Sequence, residues 1–146
     1  MPFSKPITFR RLLDAPIDER ELIPPRQAGV YVVTRNDWPG GGDPPDADVV
    51  YVGRTSALLY RTIVLVTDAI GFTGEGKGYS NSYYHSGGHS IWEERDRKLK
   101  GKDPRDLYIS WKSDCCEACE EIRLYERHKN NESFVGKGTP PKCHKH

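Results

Sequence analysis

Residues 36–48 read Asn-Asp-Trp-Pro-Gly-Gly-Gly-Asp-Pro-Pro-Asp-Ala-Asp, and three prolines and three glycines in that space forbid a regular element. The stretch has to be a connection. On one side stands GVYVVTR (residues 29–35), on the other VVYVG (residues 49–53). Both are rich in the β-branched and aromatic residues that suit a pleated, packed surface. Two such runs joined this way predict an antiparallel hairpin with a floppy loop.

The rest of the chain supplies the helices. Within residues 55–72, Leu58, Leu59, Thr62, Val66 and Ala69 recur at helical spacing, behind a Thr55 or Ser56 able to cap the first turn. Residues 73–88 form a long glycine-rich loop, and a loop of that length in a small domain is more often functional or mobile than filler. Residues 89–99 predict a second helix, 106–112 a third strand, and 114–129 a third helix capped by Ser113 or Asp114. Residues 1–27 carry Pro2, Pro6, Pro16, Pro24 and Pro25 and read as an extended arm with one short helix near residues 18–22. The tail, 130–146, is basic and rich in Gly and Pro. The order β-β-α-α-β-α over residues 28–146 predicts an α+β domain, a small three-stranded antiparallel sheet flanked by helices.

A chain of 146 residues that is 36% hydrophobic and 29% charged suits one folded domain. No apolar run approaches the ~18–20 residues of a membrane helix, and Met1-Pro-Phe-Ser-Lys5 lacks the apolar stretch of a secretory signal. A cytoplasmic protein without a membrane partner is the expectation. Lys and Arg total 22 against 21 Asp and Glu, so a nucleic-acid partner would have to be held by local patches. The densest is Arg95, Arg97, Lys98, Lys100, Lys102 and Arg105, joined by Lys137, Lys142 and Lys145 of the tail. Such residues give salt-dependent, sequence-blind phosphate contacts, although a solvated helix end accounts for them equally well. Tyr83, Tyr84 and Trp92 are able to stack on bases, and Trp92 at helical spacing suits the core better.

Three of the four cysteines, Cys115, Cys116 and Cys119, crowd into five residues, a poor disulfide framework, so reduced thiols are the default. Cys116-x-x-Cys119 has the spacing of structural zinc ligands, which Cys143, His144 and His146 would complete. The competing reading is core packing: Cys115, Ala118, Cys119 and Ile122 make one apolar helical stripe, which favours it. His85 and His89 have the separation of a metal pair on a helix, but Gly87 and Gly88 between them argue for a turn that contacts phosphate.

Gly29-Val30-Tyr31 followed by Tyr51-Val52-Gly53 on consecutive strands resembles the two half-motifs of the GIY-YIG nucleases. Arg54-Thr55 follow, Leu58 stands at the family's leucine position, and Arg61 falls where its catalytic arginine belongs. Glu121, followed by Leu124-Tyr125, resembles its metal-binding glutamate on a later helix. The resemblance spans residues 29–129. Two positions depart from the pattern. Where many members carry Pro-x-x-Asn, this chain has Pro141 to His144, with Asn130 or Asn131 as substitutes. A histidine that some members carry one turn after the arginine is Leu65 here, and His85 or His89 is left to supply a polar group.

The resemblance implies a metal-dependent endonuclease that hydrolyses phosphodiester bonds, of DNA before RNA. Glu121 would hold Mg²⁺ or Mn²⁺, and a hard cation on one carboxylate suits magnesium's habit of keeping its waters. Arg61 would clamp a phosphate oxygen with its planar fork. Tyr31 would act as general base and Tyr51 would position water or phosphate. Gly53 would let the backbone approach the phosphate, and Arg54, His85 and His89 would contact substrate. A phenol with a pKa of about 10 is a poor base at neutral pH, so a metal or Arg61 is expected to lower it. With no separate DNA-reading module, specificity would come from substrate structure, a partner protein or a dimer mate. The rivals are an inactive nucleic-acid-binding module of the same fold and a zinc-stabilised interaction protein.

Overall fold

The computed structural model describes residues 2–14, 23, 26–71, 86–136 and 138–145. Strand β1 (Ile7–Thr8) and helix α1 (Phe9–Asp14) precede the hairpin of β2 (Gly29–Thr34) and β3 (Val49–Thr55). Helices α2 (Leu58–Ala69), α3 (Ser86–Glu93) and α4 (Arg95–Lys98), strand β4 (Tyr108–Lys112) and helix α5 (Glu117–His128) follow. The domain is α+β, and its sheet is antiparallel with the order β1-β4-β2-β3. The expectation of three strands falls one short. Ile7 and Thr8 pair with Ile109 and Tyr108, and a two-residue strand is too short for any alternation to announce it. Within the stretch expected to be an extended arm, the described residues Phe3, Phe9, Leu12 and Ile23 are buried. The helix expected near residues 18–22 lies outside the described residues. No helix among those described is long and apolar enough to cross a membrane.

Strand β2 is buried along its whole length because the sheet is covered on both faces. Period-two alternation sends Tyr31 and Val33 to one side, into a core with Leu58, Leu65, Val66 and Ala69 of α2 and Ile91 of α3. Val30 and Val32 go to the other, against Leu124 of α5 and Phe134. Helix α2 buries much of its expected face, with Leu65 in addition and Leu59 only partly covered. Its N-terminus has no side-chain cap. Thr55 Oγ1 instead accepts from the Ala57 N–H at 3.0 Å, before the helix begins. Helix α5 likewise starts at Glu117, with Cys116 at the cap position, because Asp114 turns the chain through φ +54°.

The connection at residues 36–48 is pinned rather than floppy. Arg123 of α5 donates through both terminal nitrogens to Asp43 at 2.8 Å, and Arg127 reaches Asp46 at 2.8 Å and Asp43 at 3.0 Å. A bidentate fork of this kind fixes orientation as well as distance, and Arg123 holds the Asp43 carboxyl below its ordinary range. Trp38, buried, meets the edge of Phe3 at 6.0 Å.

Gly87 and Gly88 lie inside a helix, contrary to the turn expected of them. Intrinsic propensity disfavours glycine there, but tertiary contact requires it. A Cβ on Gly88 would stand 2.5 Å from the Leu65 carbonyl oxygen, and one on Gly87 would stand 2.1 Å from the Tyr51 ring. Alanine normally improves a helix interior by about 1 kcal/mol over glycine, whereas overpacking costs about 1–3 kcal/mol. Both Gly87→Ala and Gly88→Ala are therefore expected to lower the midpoint of denaturant unfolding.

His128, at the end of α5, is fully buried. Its Nδ1 lies 3.2 Å from the Asn131 amide, and its Nε2 has no hydrogen-bond partner among the described residues. Burial lowers its pKa, outweighing the pull of Asp46. The unfolded chain, with a histidine pKa near ~6.5, then binds the proton more readily than the folded one. The stabilisation is complete above about pH 6.5 and is lost as pH falls toward the lowered folded value. Unfolding midpoints measured between about pH 5 and 7.5 should fall with acid more steeply in the wild type than in His128→Gln, the difference between the two curves being the contribution of His128. The acidic groups paired with Arg123 and Arg127 titrate lower and do not enter this window.

Candidate active site

Across the hairpin Tyr31 sits opposite Gly53, and Val33 opposite Tyr51, so both phenols rise from one face of the sheet. The missing side chain of Gly53 is where the Tyr31 ring lies: a Cβ there would be 2.4 Å from both Cζ and Oη. This is a different use of the glycine from the expected backbone approach to phosphate. The two rings stack with centroids 6.2 Å apart and planes 19° from parallel. Their hydroxyls are hydrogen-bonded to each other, and Arg61, in the first turn of α2, hydrogen-bonds Tyr31. Gly87 of α3 closes on Tyr51 from beyond. The aromatic pair is thus held between two glycines.

Tyr51 opens onto a cleft of about 480 Å³ that is also lined by Glu121, Glu93 and His89. Tyr31, 1% exposed, is sealed behind it. Burial pushes the Tyr31 pKa well up, reinforced by Tyr51, and pushes Tyr51 up to about 12, reinforced by Glu121. Arg61 pulls both down and loses to desolvation. Arg61 thus acts in the expected direction on both phenols, but burial outweighs it and leaves both above their ordinary value.

Glu121 comes to the cleft from the opposite side of the sheet, on the helix that runs beside the edge strand β3. Its Oε1 is buried, stands 3.4 Å from Arg54 Nε, and accepts no hydrogen bond among the described residues. Burial raises its pKa, with Arg54 acting against that. Its neighbour Glu120 is a different kind of group. Arg123 Nε bonds it at 2.6 Å and Lys112 Nζ at 2.5 Å, and the two cations hold it down to about 2. Of the two adjacent acids, only Glu121 lines the cleft.

The remaining expected residues divide. His89 lines the cleft, with Nε2 2.6 Å from Glu93 Oε1 on the next turn of α3. Arg54 is spent on Glu121, and Leu65 is in the core. Asn131 bonds the Asp46 carbonyl and faces His128. His144 lines a second pocket with Arg54, Cys116 and Cys143, and none of His144, Asn130 and Asn131 lines the Tyr51 cleft. In the basic stretch Arg97 pairs with Glu94, Arg105 with Asp103, and Arg95 lies 3.6 Å over Trp92. His85, Tyr83, Tyr84, Lys137 and His146 lie outside the described residues.

One wall of the cleft went unrecognised in the sequence. Val135 N–H donates to the Val50 carbonyl at 2.8 Å, and the chain continues as Gly136, Gly138, Thr139, Pro140 and Pro141 along the cleft. The buried pair Phe134-Val135, apolar within a polar tail, was the available signal. Comparison with family models, with curated proteins and with solved structures gave no match.

Proposed function

We propose that the cleft between Tyr51 and Glu121 is the active site of a divalent-metal-dependent endonuclease of the GIY-YIG type, hydrolysing phosphodiester bonds of DNA. The observation that carries this reading is the Glu121 carboxylate: its buried Oε1 accepts no hydrogen bond among the described residues, meets the Arg54 guanidinium only at 3.4 Å, and stands on the wall that Tyr51 shares. A buried acceptor left without a donor is rare and suits an ion. One carboxylate in an open cleft is the donor set that Mg²⁺ or Mn²⁺ accepts while keeping its waters. The bound cation would supply neutralisation of charge on the phosphate and a lowered pKa for its own water.

The chain's own groups divide the remaining work. Tyr51, which keeps its proton at neutral pH, donates from the cleft wall to a phosphate oxygen or to the attacking water. Tyr31 and Arg61 stand behind it as a hydrogen-bonded support, and the guanidinium adds positive charge where negative charge develops. Imidazole is the side chain suited to accepting a proton near neutrality. His89, oriented by Glu93, is the imidazole on the cleft wall among the described residues. Arg54 holds Glu121 until a cation replaces it, and is then placed to meet substrate phosphate.

The test is incubation of the purified protein with supercoiled plasmid and with single-stranded DNA and RNA, in Mg²⁺ or Mn²⁺ and then in chelator. Cuts that need the metal support the reading. Binding without cuts supports the inactive nucleic-acid-binding module, which the Arg54–Glu121 pair would suit.

A further inference from the structure

We propose that Cys116, Cys119 and Cys143 bind a zinc ion that fastens the C-terminal tail to the start of α5. The three sulfurs, from positions 27 residues apart in the chain, all lie within 4.8 Å of one another, with Cys116 and Cys143 Sγ 3.5 Å apart. Tetrahedral zinc with Zn–S bonds of about 2.3 Å places its sulfurs roughly 3.8 Å apart, so the spacing fits one ion. The core reading of the cysteine stripe holds for Cys115 alone. It packs against the cluster of Val30, Leu124 and Phe134, and its thiol points to the Lys112 carbonyl. The other three belong to neither apolar cluster. A disulfide would employ two of these sulfurs and leave the third without a reason. Soft thiolates select zinc over magnesium, so this site is chemically separate from Glu121. Among the described residues His144, outside the three-sulfur group but next to Cys143 and lining the same pocket as Cys116, is an imidazole that a ring rotation would bring to the fourth position.

The location gives the ion a structural task. Pro141 lines both this pocket and the Tyr51 cleft, and the tail residues before it form the cleft wall. Bonds from α5 to Cys143 therefore hold that wall in place.

The full chain, purified under reducing conditions, is expected to carry one zinc per chain by elemental analysis. Exchange with cobalt should give the thiolate-to-cobalt charge-transfer absorption of a tetrahedral site. Cys116→Ser and Cys143→Ser should each lose stoichiometric metal, while Cys115→Ser keeps it. In wild-type protein, chelation should speed tryptic cleavage at Lys142 on the order of tenfold, because local opening governs access. The proposal is overturned if the chain takes up neither zinc nor cobalt and all its thiols react freely. It is also overturned if Cys115→Ser loses the metal as fully as Cys143→Ser, or if Cys116 and Cys143 are found joined. None of these readouts involves DNA cleavage, so the outcome stands apart from the nuclease reading.

Discussion

Glu121→Gln should lower metal-dependent cleavage on the order of 10³-fold with the fold unchanged, since a preorganised charge-stabilising group is commonly worth that much. The amide matches the carboxylate in size, so the packing beside β3 survives. What disappears is the negative charge that would hold the cation. The same substitution carries an internal check: Glu121 raises the pKa of both phenols, so removing it should lower the titration of Tyr51 from its value of about 12. Glu120→Gln is the contrast. That acid is held by Arg123 and Lys112, away from the cleft lining, and its loss should cost stability and leave cleavage within a few-fold. Single-turnover rates on one oligonucleotide decide the matter. Wild-type cleavage by Glu121→Gln would remove the metal from the account.

Gly53→Ala should damage the fold and the cleavage reaction together. The new carbon would lie 2.4 Å from the end of the Tyr31 ring. A long side chain on a surface would swing away, but this ring is sealed, stacked on Tyr51 and bonded to Arg61. Behind Tyr51 stands Gly87, with no room of its own. Either β3 shifts or both phenols do. Overpacking of this kind costs about 1–3 kcal/mol of stability. A catalytic group displaced by an ångström costs roughly 10²-fold in rate, so cleavage should suffer beyond what the loss of folded protein explains. Unfolding midpoints and cleavage rates, taken at a temperature where the variant is folded, separate the two effects.

The legible parts of this fold were those with a local period. Strands β2 and β3 declared themselves by composition, and Leu58, Thr62, Val66 and Ala69 by helical spacing, because each signal lies within one element. What could not be read depends on contacts between elements. Gly87 and Gly88 looked like a turn because the reason for them, the Leu65 carbonyl and the Tyr51 ring, lies elsewhere in the chain. The loop at residues 36–48 looked floppy because its anchors, Arg123 and Arg127, are some 80 residues away. In the candidate site, Tyr31, Tyr51, Arg61 and Glu121 could be listed from the resemblance to the GIY-YIG motifs. Which phenol faces the cleft could not, nor that burial defeats Arg61 in setting the pKa of both. Strand pairing tells which face a residue takes, and only packing tells how deep it lies.

The most direct measurement is anomalous diffraction from a crystal soaked in Mn²⁺. The account predicts a manganese peak within bonding distance of the Glu121 carboxylate, about 2.1 Å for a small hard cation, in the cleft with Tyr51 and with Arg54 moved off the acid. A Glu121 still paired to Arg54, with manganese absent or bound only elsewhere, would contradict it.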